Sequence, residues 1–251
     1  MSAYLVEPQH ITEIVKWASN PQQGDVSHCY NLITKKQIDC DPKQMVMTLA
    51  QANMDSLGYA ITFDKRNQSF KPTKGYKTTF RQSLPIIQDS SSISNGIDFS
   101  KYHDFSDDLI GAFKLNAKAI NGIDDDVRLT NRLYIPATRL RGFNTYKVGP
   151  KDGDDYIGGN YTTTFGAEAQ LPNILPETYK TDISLFMDSG NIWGVDYNDS
   201  VDDTNKIRTS VGVSANVYTV IGPLSFTIAE DLSKAENDET QTFNFRLGTS
   251  F

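Results

Sequence analysis

The sequence predicts a mainly β fold. It is a partial antiparallel transmembrane β-barrel of about nine strands with a long loop folded into its lumen, preceded by a small α-helical segment. Three observations predict it. From Leu57 onward, apolar and polar residues alternate with a period of two in nine separate segments, the pattern of strands with one apolar and one polar face. The polar faces carry Arg, Lys, Asp and Glu, while the apolar faces carry Phe, Tyr, Val and Leu with almost no charge. That division suits a wet lumen and a lipid-facing exterior. The last segment ends on an aromatic residue, Phe251.

Residues 1–55 read as a small helical segment of unknown role, and 56–251 as barrel. Ile11, Ile14, Val15 and Ala18 follow helical spacing. A second helix is expected after Asp41-Pro42, an N-cap followed by proline at the first helical position, with Met45, Val46, Leu49 and Ala52 as its apolar set. The strands then follow in order: Tyr59 to Phe63, Tyr76 to Leu84, Ile97 to Phe99 and Phe113 to Ala119. A long irregular stretch covers about 121 to 158. Alternation resumes at Tyr161 to Leu171, with Glu168 on the polar face, and at Ile183 to Asp188, where Phe186 breaks the pattern. Arg208 to Val217, Leu224 to Ile228 and Phe243 to Phe251 complete the set.

A net charge of −7 and a mean hydropathy of −0.43 describe an acidic, hydrophilic chain. Alternating barrels average out this way, so the values do not exclude a membrane. No run of about 18 apolar residues exists, which excludes a transmembrane helix. The acidic balance argues against nucleic acid. The two cysteines, Cys29 and Cys40, make no disulfide framework. With His28 they fit no common zinc spacing, so they read as ordinary thiols and no metal is expected. Met1 to Val6 lacks a positive stretch followed by an apolar one and is not a secretory signal, an observation that stands against the membrane reading.

Several short motifs occur in one order. They are Tyr59-Ala60-Ile61-Thr62-Phe63-Asp64-Lys65-Arg66-Asn67; Phe70, Pro72 and Gly75; Leu140-Arg141-Gly142-Phe143; and Gly149-Pro150 with Gly158-Gly159-Asn160. Phe186-Met187-Asp188-Ser189-Gly190-Asn191-Ile192-Trp193, Ile221-Gly222-Pro223-Leu224 and the terminal Gly248 to Phe251 follow. Over Leu57 to Phe251 the chain resembles the C-terminal half of the barrel of the BamA family of outer-membrane assembly factors. The resemblance implies that the 121–158 loop folds back into the lumen, where Arg141, Gly142 and Phe143 meet Glu168 and Asp188 on the inner wall. It also implies that Phe243, Phe245, Leu247 and Phe251 form a C-terminal assembly signal.

The function so implied is the folding and insertion of β-barrel proteins into the bacterial outer membrane. The expected partners are the lipid bilayer, nascent outer-membrane barrels and the lipoproteins of the assembly machinery. Signal peptide, periplasmic domains and the first barrel strands of such a family member are not seen, so the chain is expected to be a fragment or a fusion. A two-partner-secretion-type polypeptide pore is the near alternative. A soluble phage-type N-terminal module joined to a non-functional barrel segment is the distant one. No cofactor is implied, since the sequence has no P-loop. His103, the sole histidine of the barrel region, has no nucleophile motif beside it, so an enzyme is not expected.

Overall fold

The computed structural model describes residues 28–31, 36–39, 45–52, 56–85, 92–106, 109–172, 180–197, 201, 203, 205–219 and 222–248. β1 (His28–Asn31) and β2 (Lys36–Asp39) pair as a separate antiparallel hairpin. The main sheet is built from β3 (Met45–Ala52), β4 (Ser56–Asp64), β5 (Gly75–Pro85), β6 (Ser92–Asp104) and β7 (Ile110–Gly122). It continues with β10 (Tyr161–Gln170), β11 (Thr181–Trp193), β12 (Arg208–Thr219), β13 (Gly222–Ser233) and β14 (Phe243–Leu247). These ten strands form one antiparallel sheet in which each strand neighbours the next, with β14 and β3 at its edges. The sheet is therefore not closed. Between β7 and β10 the chain leaves the sheet for a long loop carrying a 3₁₀ turn (Leu129–Asn131) and a small hairpin of β8 (Lys151–Asp152) and β9 (Asp155–Tyr156).

The nine alternating segments are nine of these strands. The tenth corrects the sequence reading. Met45, Val46, Leu49 and Ala52 do not form a helix but lie in β3, antiparallel to β4, with Met45 opposite Phe63 and Ala52 opposite Leu57. An eight-residue apolar segment satisfies helical and strand spacing alike. Here the unpaired edge of β4 supplies hydrogen-bond partners that a short helix could not replace. A register shift between Leu49 and Gln51 blurs the period further. The expected helix over Ile11 to Ala18 lies outside the described residues, as do Cys40 and Phe251. His28 and Cys29 belong to β1.

The sheet buries polar groups and exposes apolar ones. Thr79, Asn116, Thr162, Thr164, Ser184, Ser210, Ser214 and Thr227 are buried on its inner face. Phe113, Leu185, Met187, Val213, Ile228 and Phe243 are exposed on the outer one. The inner groups satisfy one another. Thr62 and Thr79 hydroxyls lie 3.1 Å apart, those of Ser184 and Ser214 lie 2.8 Å apart, and Ser225 donates to Asn216 at 2.6 Å. In water such a sheet would be inverted; in lipid it is the stable arrangement, because hydrocarbon accepts the apolar face and cannot hydrate the polar one. β6, β7 and β11 have 13 residues each. A tilted strand needs roughly 9–11 to cross the hydrocarbon layer.

Candidate functional site

The loop between β7 and β10 lies against the polar face of the sheet. Its apolar residues make the one buried apolar cluster among the described residues, Ile135, Leu140, Phe143 and Val148 packed on Ile192 of β11. Pro136 opens a tight turn, its carbonyl accepting from the amides of Arg139 at 2.9 Å and Leu140 at 3.3 Å. The turn places Leu140 inward and delivers Arg141 to the wall.

Arg141 meets Asp188 of β11 through two prongs, Nε to Oδ2 at 2.7 Å and Nη2 to Oδ1 at 2.9 Å, and its backbone amide donates to Oδ2 at 3.1 Å. Its third nitrogen, Nη1, stands 3.6 Å from Oε2 of Glu168 on β10. Glu168 also accepts from Ser184 at 2.7 Å and from Lys114 at 3.3 Å. The guanidinium carbon lies 3.6 Å from the centre of the Phe186 ring. Phe186 thus breaks the sequence alternation because it faces the lumen, where its ring supports a cation. Two glycines make room: a Cβ on Gly212 would fall 2.7 Å from the Phe186 ring, and one on Gly166 would fall 3.1 Å from Asp188 Oδ1. The Asp188 side chain is 3% exposed, so its charge needs this partner.

Gly142 has φ +88, a left-handed conformation that favours glycine, and a Cβ there would press on Ala229 at 3.1 Å and Ser210 at 3.2 Å. Its carbonyl accepts from the Gln241 amide at 2.9 Å, and the Arg141 carbonyl accepts from the Ser210 hydroxyl. Phe143 is 1% exposed and pairs through its backbone with Thr240 in the loop between β13 and β14. Arg246 of β14 is half-buried on the same inner face, toward Arg141 and Asp188.

The sequence reading did not foresee three further ties. Arg139 donates to Asp98 of β6 at 2.7 Å. Arg208 of β12 grips Asp238 of the β13–β14 loop by two prongs, at 2.8 and 3.1 Å, with both side chains almost wholly buried. Asp238 also accepts from the Gly149 amide at 3.2 Å. Arg132 donates to Asp196 at 2.7 Å, just beyond β11. Burial raises the Asp196 pKa, but the Val127 amide, the Asn160 amide group and Arg132 outweigh it and hold the carboxyl below its ordinary range. Alternation placed Asp98 and Arg208 on polar strand faces but did not say which groups they would meet.

Phe243, Phe245 and Leu247 lie outward on β14, 55%, 51% and 60% exposed. Phe245 stacks on Phe226 of β13 with centroids 5.1 Å apart.

An open antiparallel sheet with an apolar exterior and a long loop pinned to its polar interior accords with one family, described as the Omp85 superfamily domain, which matches residues 25–251. The chain belongs to the Omp85 superfamily. The match begins upstream of β1, and so takes in residues that the sequence reading set apart from the barrel. The chain is 25% identical over 232 residues to the outer membrane protein assembly factor BamA of Neorickettsia risticii, a match covering 88% of this chain and 31% of that protein. It is 31% identical over 139 residues to BamA of Neisseria meningitidis, covering 45% and 17%. A mouse sorting and assembly machinery component 50 homolog is 26% identical over 155 residues, covering 57% and 32%. The chain therefore spans a third or less of the length of these relatives. A solved structure of BamA from Haemophilus ducreyi lacking POTRA domains 1–3 has the same fold, with a TM-score of 0.69 at 24% identity, covering 76% of this chain and 41% of that one. These three relatives are named for outer-membrane protein assembly or for sorting and assembly.

Proposed function

We propose that this Omp85 chain is the C-terminal wall of an outer-membrane protein assembly factor, which folds nascent β-barrel proteins into the bacterial outer membrane without catalysing a covalent step. The observation that carries the reading is the pinned loop. Arg141 joins β10 and β11 through Glu168 and Asp188 inside a sheet that stays open at β14. A rigid wall on one side and an unpaired edge on the other suit a protein that offers strand hydrogen bonds to an incoming chain. Phe243, Phe245, Leu247 and Phe251 act in this reading as the assembly signal of the last strand. The partners are nascent outer-membrane barrels, the bilayer and accessory lipoproteins.

The test is a folding assay. The protein is placed in lipid vesicles, a urea-unfolded outer-membrane barrel is diluted in, and its folding is followed by heat-modifiable gel mobility. The rate should rise over empty vesicles, and Arg141→Ala should reduce the gain. Equal rates in empty and loaded vesicles would refute the reading.

A further inference from the structure

Register and side-chain chemistry bring three cations together elsewhere on the inner wall. Arg81 of β5 stands opposite Gly96 of β6, which stands opposite Lys118 of β7. Two strand spacings separate Arg81 from Lys118, roughly 9.6 Å between backbones. Gly96 leaves the space between them without a side chain, and the Lys118 stem runs over it, its Cγ 3.6 Å from where a Cβ would be. Arg139 reaches in from the loop. The result is a slot with a glycine floor, Arg81 and Lys118 as walls, and Arg139 above.

Asp98 is the only carboxylate among the described residues that faces this group. It accepts from Arg139 at 2.7 Å, from Asn116 at 2.8 Å and from Arg81, so it fixes both guanidiniums by one N–H each. A guanidinium has five donors, so most remain available. The charged groups acting on Lys118 are Arg139, Asp98 and Arg81, with no second carboxylate. Three cations against one anion leave a surplus of two positive charges. Elsewhere ion-paired groups match one for one, among them Arg141 and Lys114 with Asp188 and Glu168, Arg208 with Asp238, and Arg132 with Asp196. Arg81 and Arg139 also stay accessible, their side chains 53% and 36% exposed.

We propose that Arg81, Lys118 and Arg139 form an oxyanion site in the lumen that takes a phosphate group. Two guanidinium forks and an ammonium around a backbone floor suit a tetrahedral, doubly charged anion. The phosphate can be free or belong to a lipid headgroup. This site is independent of the assembly reading, since none of its cations touches Asp188 or Glu168.

The probe is inorganic phosphate, titrated calorimetrically into the detergent-folded protein in chloride buffer at constant ionic strength, so that general screening does not change. Saturable binding is expected. Lys118→Met should weaken it about tenfold, the loss of one charge-assisted hydrogen bond. Lys118→Arg should restore it. Lys234→Met, which removes one positive charge at a loop away from the slot, should leave it unchanged. Dihexanoyl phosphatidylglycerol is then titrated against bound phosphate: competition assigns a lipid headgroup, and its failure assigns a free anion. Absence of saturable binding by either probe, or equal weakening by Lys118→Met and Lys234→Met in variants with unchanged circular dichroism, would overturn the proposal.

Discussion

Arg141 concentrates several kinds of interaction in one side chain: two charge-assisted hydrogen bonds to Asp188, an ion pair to Glu168 and a ring beneath it. Its removal leaves Asp188 buried without its principal counter-ion. Breaking a buried pair in this way costs about 3–5 kcal/mol where water is excluded, and less where the lumen is wet. Arg141→Ala should therefore lower the urea midpoint of the folded protein in vesicles. Arg141→Lys should fall between the two, because an ammonium keeps the charge but not the two-pronged geometry. An unchanged midpoint for Arg141→Ala would show that the pair contributes nothing to stability. The face of this site was legible in the sequence: alternation alone placed Glu168 and Asp188 on polar faces. Phe186 was not legible, since a ring on that face looked like an error in the pattern until the cation above it was seen.

The loop is the element whose attachment decides the shape of the interior, and Asp196 is one of its outer ties. A carboxyl whose folded pKa lies below its unfolded value, near 3.8, stabilises the fold fully above that value. The contribution disappears as pH falls through the lower, folded value. Acidification below about pH 4 should thus loosen the loop around Val127 and Arg132. Emission from Trp193 in a Trp17→Phe background would follow the change. Asp196→Asn should remove that acid step and show the loosened signal already at neutral pH; an identical acid profile in the variant would assign the step elsewhere. At this scale the sequence was less informative. Alternation gives a strand's faces but not its register, so the ties from Arg139 to Asp98 and from Arg208 to Asp238, 41 and 30 residues apart, had no local signature. β3 escaped notice for the opposite reason: its eight residues fit two periods equally well, and only the free edge of β4 decided between them.

The whole molecule is a sheet turned inside out, and that makes a prediction opposite to the one for a soluble protein. Ile228 is 60% exposed in the middle of β13. In water, replacing such a residue by arginine is nearly neutral. In a bilayer, Ile228→Arg should cost about 2–4 kcal/mol, the price of a charge near the midplane. Equilibrium unfolding in vesicles would measure it, and a negligible cost would mean that the outer face does not meet lipid. The sequence carried this large-scale feature well, because it is written in the chemistry of the two faces rather than in any single contact. The order of nine strands was likewise legible, since each strand pairs with its neighbour in the chain. A closed barrel takes its radius from the number and stagger of its strands. This open sheet has no such closure. Its ion pairs tie the loop to β6, β10 and β11, while backbone bonds tie it to the β13–β14 connection. The loop therefore works as a strut across the polar face, joining β6, β10 and β11 to the β13–β14 connection without passing through the sheet's own hydrogen bonds.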